Sequence, residues 1–160
     1  MVIVLAVLLA ATNRSIVHED SAVVEVFAAT TPCGDIIKPL HQISQQSNCD
    51  LVEWNLTLFE DPATHQPATY KIVAVNRFME KPSNMYSQPG TKTERIGKWS
   101  IIRGSKKDPQ AVIYQLNTDD TKTSLRFLKL SDNLLHLLDK NDELMIGNLF
   151  GSYTLNKIKK

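Results

Sequence analysis

Between Asp50 and Leu58 the chain alternates, with Val52, Trp54, Leu56 and Leu58 apolar and Glu53, Asn55 and Thr57 polar between them. A repeat of two places successive side chains on opposite faces of an extended strand, so this segment turns one face to a core and the other to water. The cluster Asp61-Pro62-Ala63-Thr64-His65-Gln66-Pro67 follows as a turn, and Thr69 to Phe78 resumes the pattern with Tyr70, Ile72 and Ala74 on one side. Two such runs about a turn predict a hairpin. Other short β-favouring runs are Ala22 to Thr31, Glu94 to Arg103, Ala111 to Asn117, Thr123 to Leu130, Leu134 to Leu138, Glu143 to Leu149 and Tyr153 to Ile158. From Ala111 on they recur about every ten residues, as in sandwiches and barrels. No stretch keeps a helical period for three turns, and no crossover helix separates the strands, which predicts an antiparallel meander. A meander of about eight or nine strands has two free edges unless the sheet curls on itself, so the expected fold is all-β and closed into a small barrel, with a sandwich as the alternative.

Two segments break the pattern. Asp35 to Ile43 is interrupted by Pro39 and runs into the polar Ser44 to Cys49, which predicts an irregular loop with one helical turn; Glu80 to Thr91 carries Pro82, Pro89 and Gly90 and predicts no regular element. Ahead of the first strand, Val2 to Ala11 is a continuous apolar run followed by Thr12-Asn13-Arg14-Ser15. It is shorter than the roughly 20 residues a membrane-spanning helix needs and reads as a signal-peptide core, although no Lys or Arg precedes it. The expected organisation is a leader and polar linker over 1–21 and one barrel domain over 22–160. No lipid-attachment Cys follows the leader, so a cleaved product exported to the periplasm or cell envelope is expected.

Lys and Arg number 18 and Asp and Glu 17, a net charge of +1 that offers no electrostatic footprint for nucleic acid. No Gly-x-Ser-x-Gly, His-Glu-x-x-His or glycine-rich phosphate loop occurs, and Asp119-Asp120 reads as a pair of turn formers, so no enzyme is expected.

Several motifs in order resemble the NlpE-like copper resistance proteins. They are Thr31-Pro32-Cys33-Gly34-Asp35-Ile36 at the end of the first strand, Gly97-Lys98-Trp99-Ser100-Ile101, Leu134-Leu135-His136-Leu137-Leu138-Asp139, and a closing Ser152-Tyr153-Thr154-Leu155. The resemblance spans most of the chain after the leader. It implies a lipocalin-like barrel in a Gram-negative envelope, tied to copper and envelope stress and not to catalysis. Cys33 matches the first cysteine of the family's Cys-x-x-Cys, and Ile36 stands at the second.

Cys33 and Cys49 are the only cysteines. They admit a disulfide, two free thiols or thiolate ligation of a metal, with the disulfide favoured in an oxidising compartment. As a metal set, Cys33, His41 and Cys49 fall in or beside one loop and suit copper or zinc, with Met79 and Met85 in a separate loop. His136, between leucines on a strand, is expected to face solvent or cap a hydrogen bond. Trp54, Tyr70, Phe78, Trp99, Tyr114 and Phe127 either line a pocket for a small apolar ligand, as in a carrier, or fill the barrel as core. The partners to weigh are thus copper, an envelope protein or a small apolar ligand.

Overall fold

A computed structural model describes residues 22–35, 37–41, 43–83, 85–87, 89–120, 123–149 and 151–158; the leader expected over 1–21 lies outside them. Among the described residues ten strands run in chain order: β1 (Ala22–Pro32), β2 (Leu51–Glu60), β3 (Pro67–Arg77), β4 (Met79–Glu80), β5 (Met85–Tyr86), β6 (Thr91–Arg103), β7 (Val112–Leu116), β8 (Leu125–Ser131), β9 (Leu134–Leu137) and β10 (Thr154–Lys157). One helical turn, α1 (Ile37–Leu40), stands between β1 and β2. Eight strands close an antiparallel barrel in the order β1-β10-β9-β8-β7-β6-β3-β2, and β4 with β5 forms a separate two-stranded hairpin. The expected all-β barrel is the fold. Closure comes from β1, which pairs with β2 along one edge and with β10 along the other.

The alternation seen in the sequence becomes the wall. In β2, Val52, Trp54, Leu56 and Leu58 are buried while Asn55 between them is exposed. Register then matches large side chains to small ones. Trp54 lies opposite Ala29 of β1 and Ala74 of β3, so the indole has room to turn inward between two methyl groups. Its Nε1 donates to Thr31 Oγ1 at 2.9 Å, which satisfies the polar atom that burial would otherwise strand. Tyr70 lies opposite Gly97 of β6. A Cβ on Gly97 would sit 2.8 Å from the Tyr70 ring, so the close passage of that ring over β6 requires glycine.

Two expectations about strands are corrected. Glu143 to Leu149 is no strand; it makes only the isolated bridges Leu138 to Leu144 and Asn148 to Gly151. The reason is topological. β9, to which it would pair after the Asp139–Asp142 turn, already has β8 on one edge and β10 on the other, and a strand has only two edges to share. The segment instead crosses the end of β9, with Met145 buried in the core and Ile146 and Leu149 in solvent. Conversely, the β4–β5 hairpin forms in a stretch where no regular element is expected. Ser87 fastens its base, its N–H donating to Phe78 O at 2.8 Å and its Oγ accepting from Phe78 N–H at 3.2 Å.

Because strands alternate in direction, the loops sort to two ends. The start of β1, the β2–β3 turn and the end of β10 share one mouth; the β1–β2 loop, the β4–β5 hairpin and the β9–β10 segment share the other.

Candidate functional site

The mouth where β1 finishes is closed by the β1–β2 loop. Cys33 follows β1 and Cys49 precedes β2 by two residues, and the two are joined in a disulfide with an S–S distance of 2.04 Å and a sequence separation of 16. A loop of that size closed by a bridge contributes about 3 kcal/mol in the chain-entropy account. Of the alternatives open for these cysteines, the disulfide is the one formed, and neither sulfur is then a thiolate.

Around the bridge the backbone is knitted to the neighbouring strands. Cys33 N–H donates to Asp50 O at 3.0 Å, Asp50 N–H to Arg77 O at 2.8 Å, and Met79 N–H to the Asp50 carboxylate at 2.6 Å. Arg77 in turn grips the Glu53 carboxylate through Nε at 2.9 Å and Nη2 at 3.1 Å, and donates from Nη1 to Ser87 O at 3.1 Å. The result is a cleft of about 850 Å³ lined by both cysteines, Asp50, Phe78, Met79 and Tyr153 among others. Met79 is 38% exposed. Tyr153 is buried, and burial raises the pKa of its phenol.

Sequence reasoning placed Met79 apart from the cysteines. Residues 33, 49, 79 and 153 are brought together by the pairing of β1, β2 and β3 and by the return of the chain into β10, and no local spacing carries that information. Cys33 and Cys49 are the members with a local signal, as the only two cysteines of the chain.

His41, the third residue of the expected metal set, is turned the other way. It follows α1, is fully buried, and meets the Trp54 ring edge-on with centroids 4.4 Å apart. Neither ring nitrogen has a hydrogen-bond partner. Burial, and secondarily the Arg95 guanidinium, push its pKa down to about 4, so the imidazole is neutral near pH 7. Among the described residues no three of His, Cys, Asp and Glu are gathered as a metal would need. His136 is hydrogen-bonded on both sides, with Thr154 Oγ1 and Met145 O each at 2.9 Å. A carbonyl only accepts, so Nε2 is the donor to Met145 O.

The aromatic candidates divide. Trp54, Tyr70, Trp99, Tyr114 and Phe127 belong to one buried cluster. Trp54 meets Phe127 at 6.2 Å and Trp99 meets Tyr114 at 5.2 Å between centroids. A carrier of an apolar ligand would have to part these rings. Phe78 alone of the six lines the cleft beside the bridge. Tyr70 also borders a smaller cleft of about 330 Å³ by Arg95 and Asn117. A third cleft, about 540 Å³, lies outside the wall over Ala111, Ile113, Leu128 and Leu138.

Compared with protein-family models, with curated proteins and with solved structures, the chain matches none of them.

Proposed function

We propose that the chain is a non-catalytic envelope protein of the NlpE-like kind, exported by its leader, whose bridged mouth serves copper resistance and stress sensing by taking Cu(I) when the bridge is reduced. One observation carries the reading: Cys33, Cys49 and Met79 line the same cleft, and Met79 is hydrogen-bonded through its backbone to the residue next to Cys49. In the bridged state the donor set does not suit a metal. Two electrons and two protons from a thiol reductant convert the bridge to two thiols, and Cu(I) then displaces their protons. Two thiolates and a thioether are the soft ligands that Cu(I) prefers.

The resemblance supports the same reading from the fold outward. Its motifs fall on the barrel in order: Thr31-Pro32-Cys33 at the end of β1, Gly97-Lys98-Trp99 in β6, the leucine run in β9, and Thr154-Leu155 in β10. Cys49, two residues ahead of β2, supplies a partner for Cys33 across an expanded loop, so the absence of cysteine at Ile36 does not remove the pair.

The test is Cu(I) titration against a chromophoric chelator, on oxidised and reduced protein side by side. Reduced protein is expected to take one Cu(I) and oxidised protein none. Cys49→Ser is expected to abolish binding and Met79→Leu to weaken it about tenfold. Equal binding by both redox forms, or none by the reduced form, would overturn the proposal.

A further inference from the structure

We propose that α1, together with His41 and Ile43, is a redox-released plug: opening the Cys33–Cys49 bridge lets it leave the barrel mouth while the barrel itself stays folded.

The segment is held by apolar burial and by loop closure more than by its own structure. A helix of one turn has nucleated but gained almost nothing from propagation, so it does not persist without support. Its hydrogen bonds are mostly internal to the loop. Lys38 N–H donates to Gly34 O, His41 N–H to Ile37 O and Ile43 N–H to Lys38 O, and Lys38 Nζ donates to Gln45 O and Ser47 O. From the barrel wall, Arg95 reaches it and donates from Nη1 to Leu40 O.

What the plug buries is partly unfavourable. Ile37 and Ile43 enter the core and gain by it. His41 enters with both nitrogens unpartnered, and an unmatched polar group in an apolar site costs its full desolvation. Water would satisfy both nitrogens on release. The bridge offsets this deficit by holding the loop ends together and limiting what the released segment can gain in entropy. Both cysteines are partly exposed on the cleft, within reach of a thiol. The step is a two-electron exchange: a reductant thiolate attacks one sulfur, a second thiol resolves the mixed disulfide, and Cys33 and Cys49 end as thiols while the reductant ends as a disulfide. Release then uncovers Trp54, so a change of redox state becomes a change of surface.

This inference shares with the copper proposal the requirement that the bridge be reducible, and nothing else. Its test therefore runs without metal, as amide hydrogen exchange on the full chain in the presence of a chelator. With the bridge opened by a phosphine after folding, the amides of Lys38, His41 and Ile43 are expected to lose at least tenfold protection and exchange as an open loop, while those of β2 and β3 stay protected against all but global unfolding. A Cys33→Ser/Cys49→Ser double variant should behave alike, and the phosphine-treated wild type gives the same reading if that variant does not fold. Adding His41→Leu to the reduced protein is expected to restore much of the protection. Unchanged protection after reduction, or exchange of β2 and β3 as fast as that of the plug, would overturn the proposal; no recovery with His41→Leu would overturn the part assigned to His41. A protein that releases the plug but binds no Cu(I) would overturn the copper reading alone.

Discussion

The two mouths of the barrel are closed by opposite means. Where β1 starts, polar side chains on the inner face complete one another. Glu25 lies opposite Leu58 and Lys157 opposite Phe27, so both point inward, and they pair at 2.7 Å with Glu25 only 12% exposed. Burial first and the charge of the neighbouring Glu25 carboxylate second drive the pKa of the Tyr114 phenol upward. Trp99 Nε1 donates to Phe59 O at 2.7 Å. Where β1 finishes, a covalent bridge holds a one-turn plug whose imidazole has no partner. A mouth satisfied by its own side chains is indifferent to redox state. One that leans on a disulfide answers to it.

Three measurements press on that contrast. The largest effect is expected from Cys33→Ser, which should lower unfolding free energy in urea by about 3 kcal/mol. An equal loss from reducing the wild type would place the whole effect in the bridge. Nearly as large is a pH effect at the same mouth. His41 has a folded pKa near 4 against an ordinary 6.5, so the unfolded chain takes up a proton first as pH falls. At pH 7 protonation of this group takes nothing further from stability; the proton-linked loss grows between pH 6.5 and about 4 and levels off below, for a total of about 3 kcal/mol. His41→Leu should flatten that part of a pH series of urea midpoints. The smallest is at the other mouth. Glu25→Gln removes one charge of a partly buried, hydrogen-bonded pair and should cost about 2 kcal/mol, unchanged by reduction of the bridge. A redox-dependent cost for Glu25→Gln would mean that the two mouths are coupled through the wall.

The limits of local pattern are visible in particular residues. Val52 to Leu58 and Tyr70 to Ala74 declare their inner faces because a period of two is a property of the strand itself. Glu143 to Leu149 has the same kind of composition and is no strand, because whether an apolar run pairs depends on a free neighbouring edge, and β9 has none. The aromatic residues were legible as inward-facing, but filling and lining differ only in what stands opposite, such as Ala29 and Ala74 against Trp54 or Gly97 against Tyr70. At the candidate site, Cys33 and Cys49 were legible as a pair; their company of Asp50, Met79 and Tyr153 was not.

By itself the sequence determined the all-β class, the positions of most strands, the long loop with its single helical turn, and a cysteine pair spaced for a bridge. All of these follow from neighbours in the chain: alternation, turn residues, β-branched runs, loop length. Tertiary structure alone decided that β1 closes on β10, that the aromatic rings pack the interior, that His41 turns inward while the bridge faces a cleft, and that Met79 comes beside it. Those outcomes depend on register and closure between strands distant in sequence, where the contacts are set by shape and burial across the barrel.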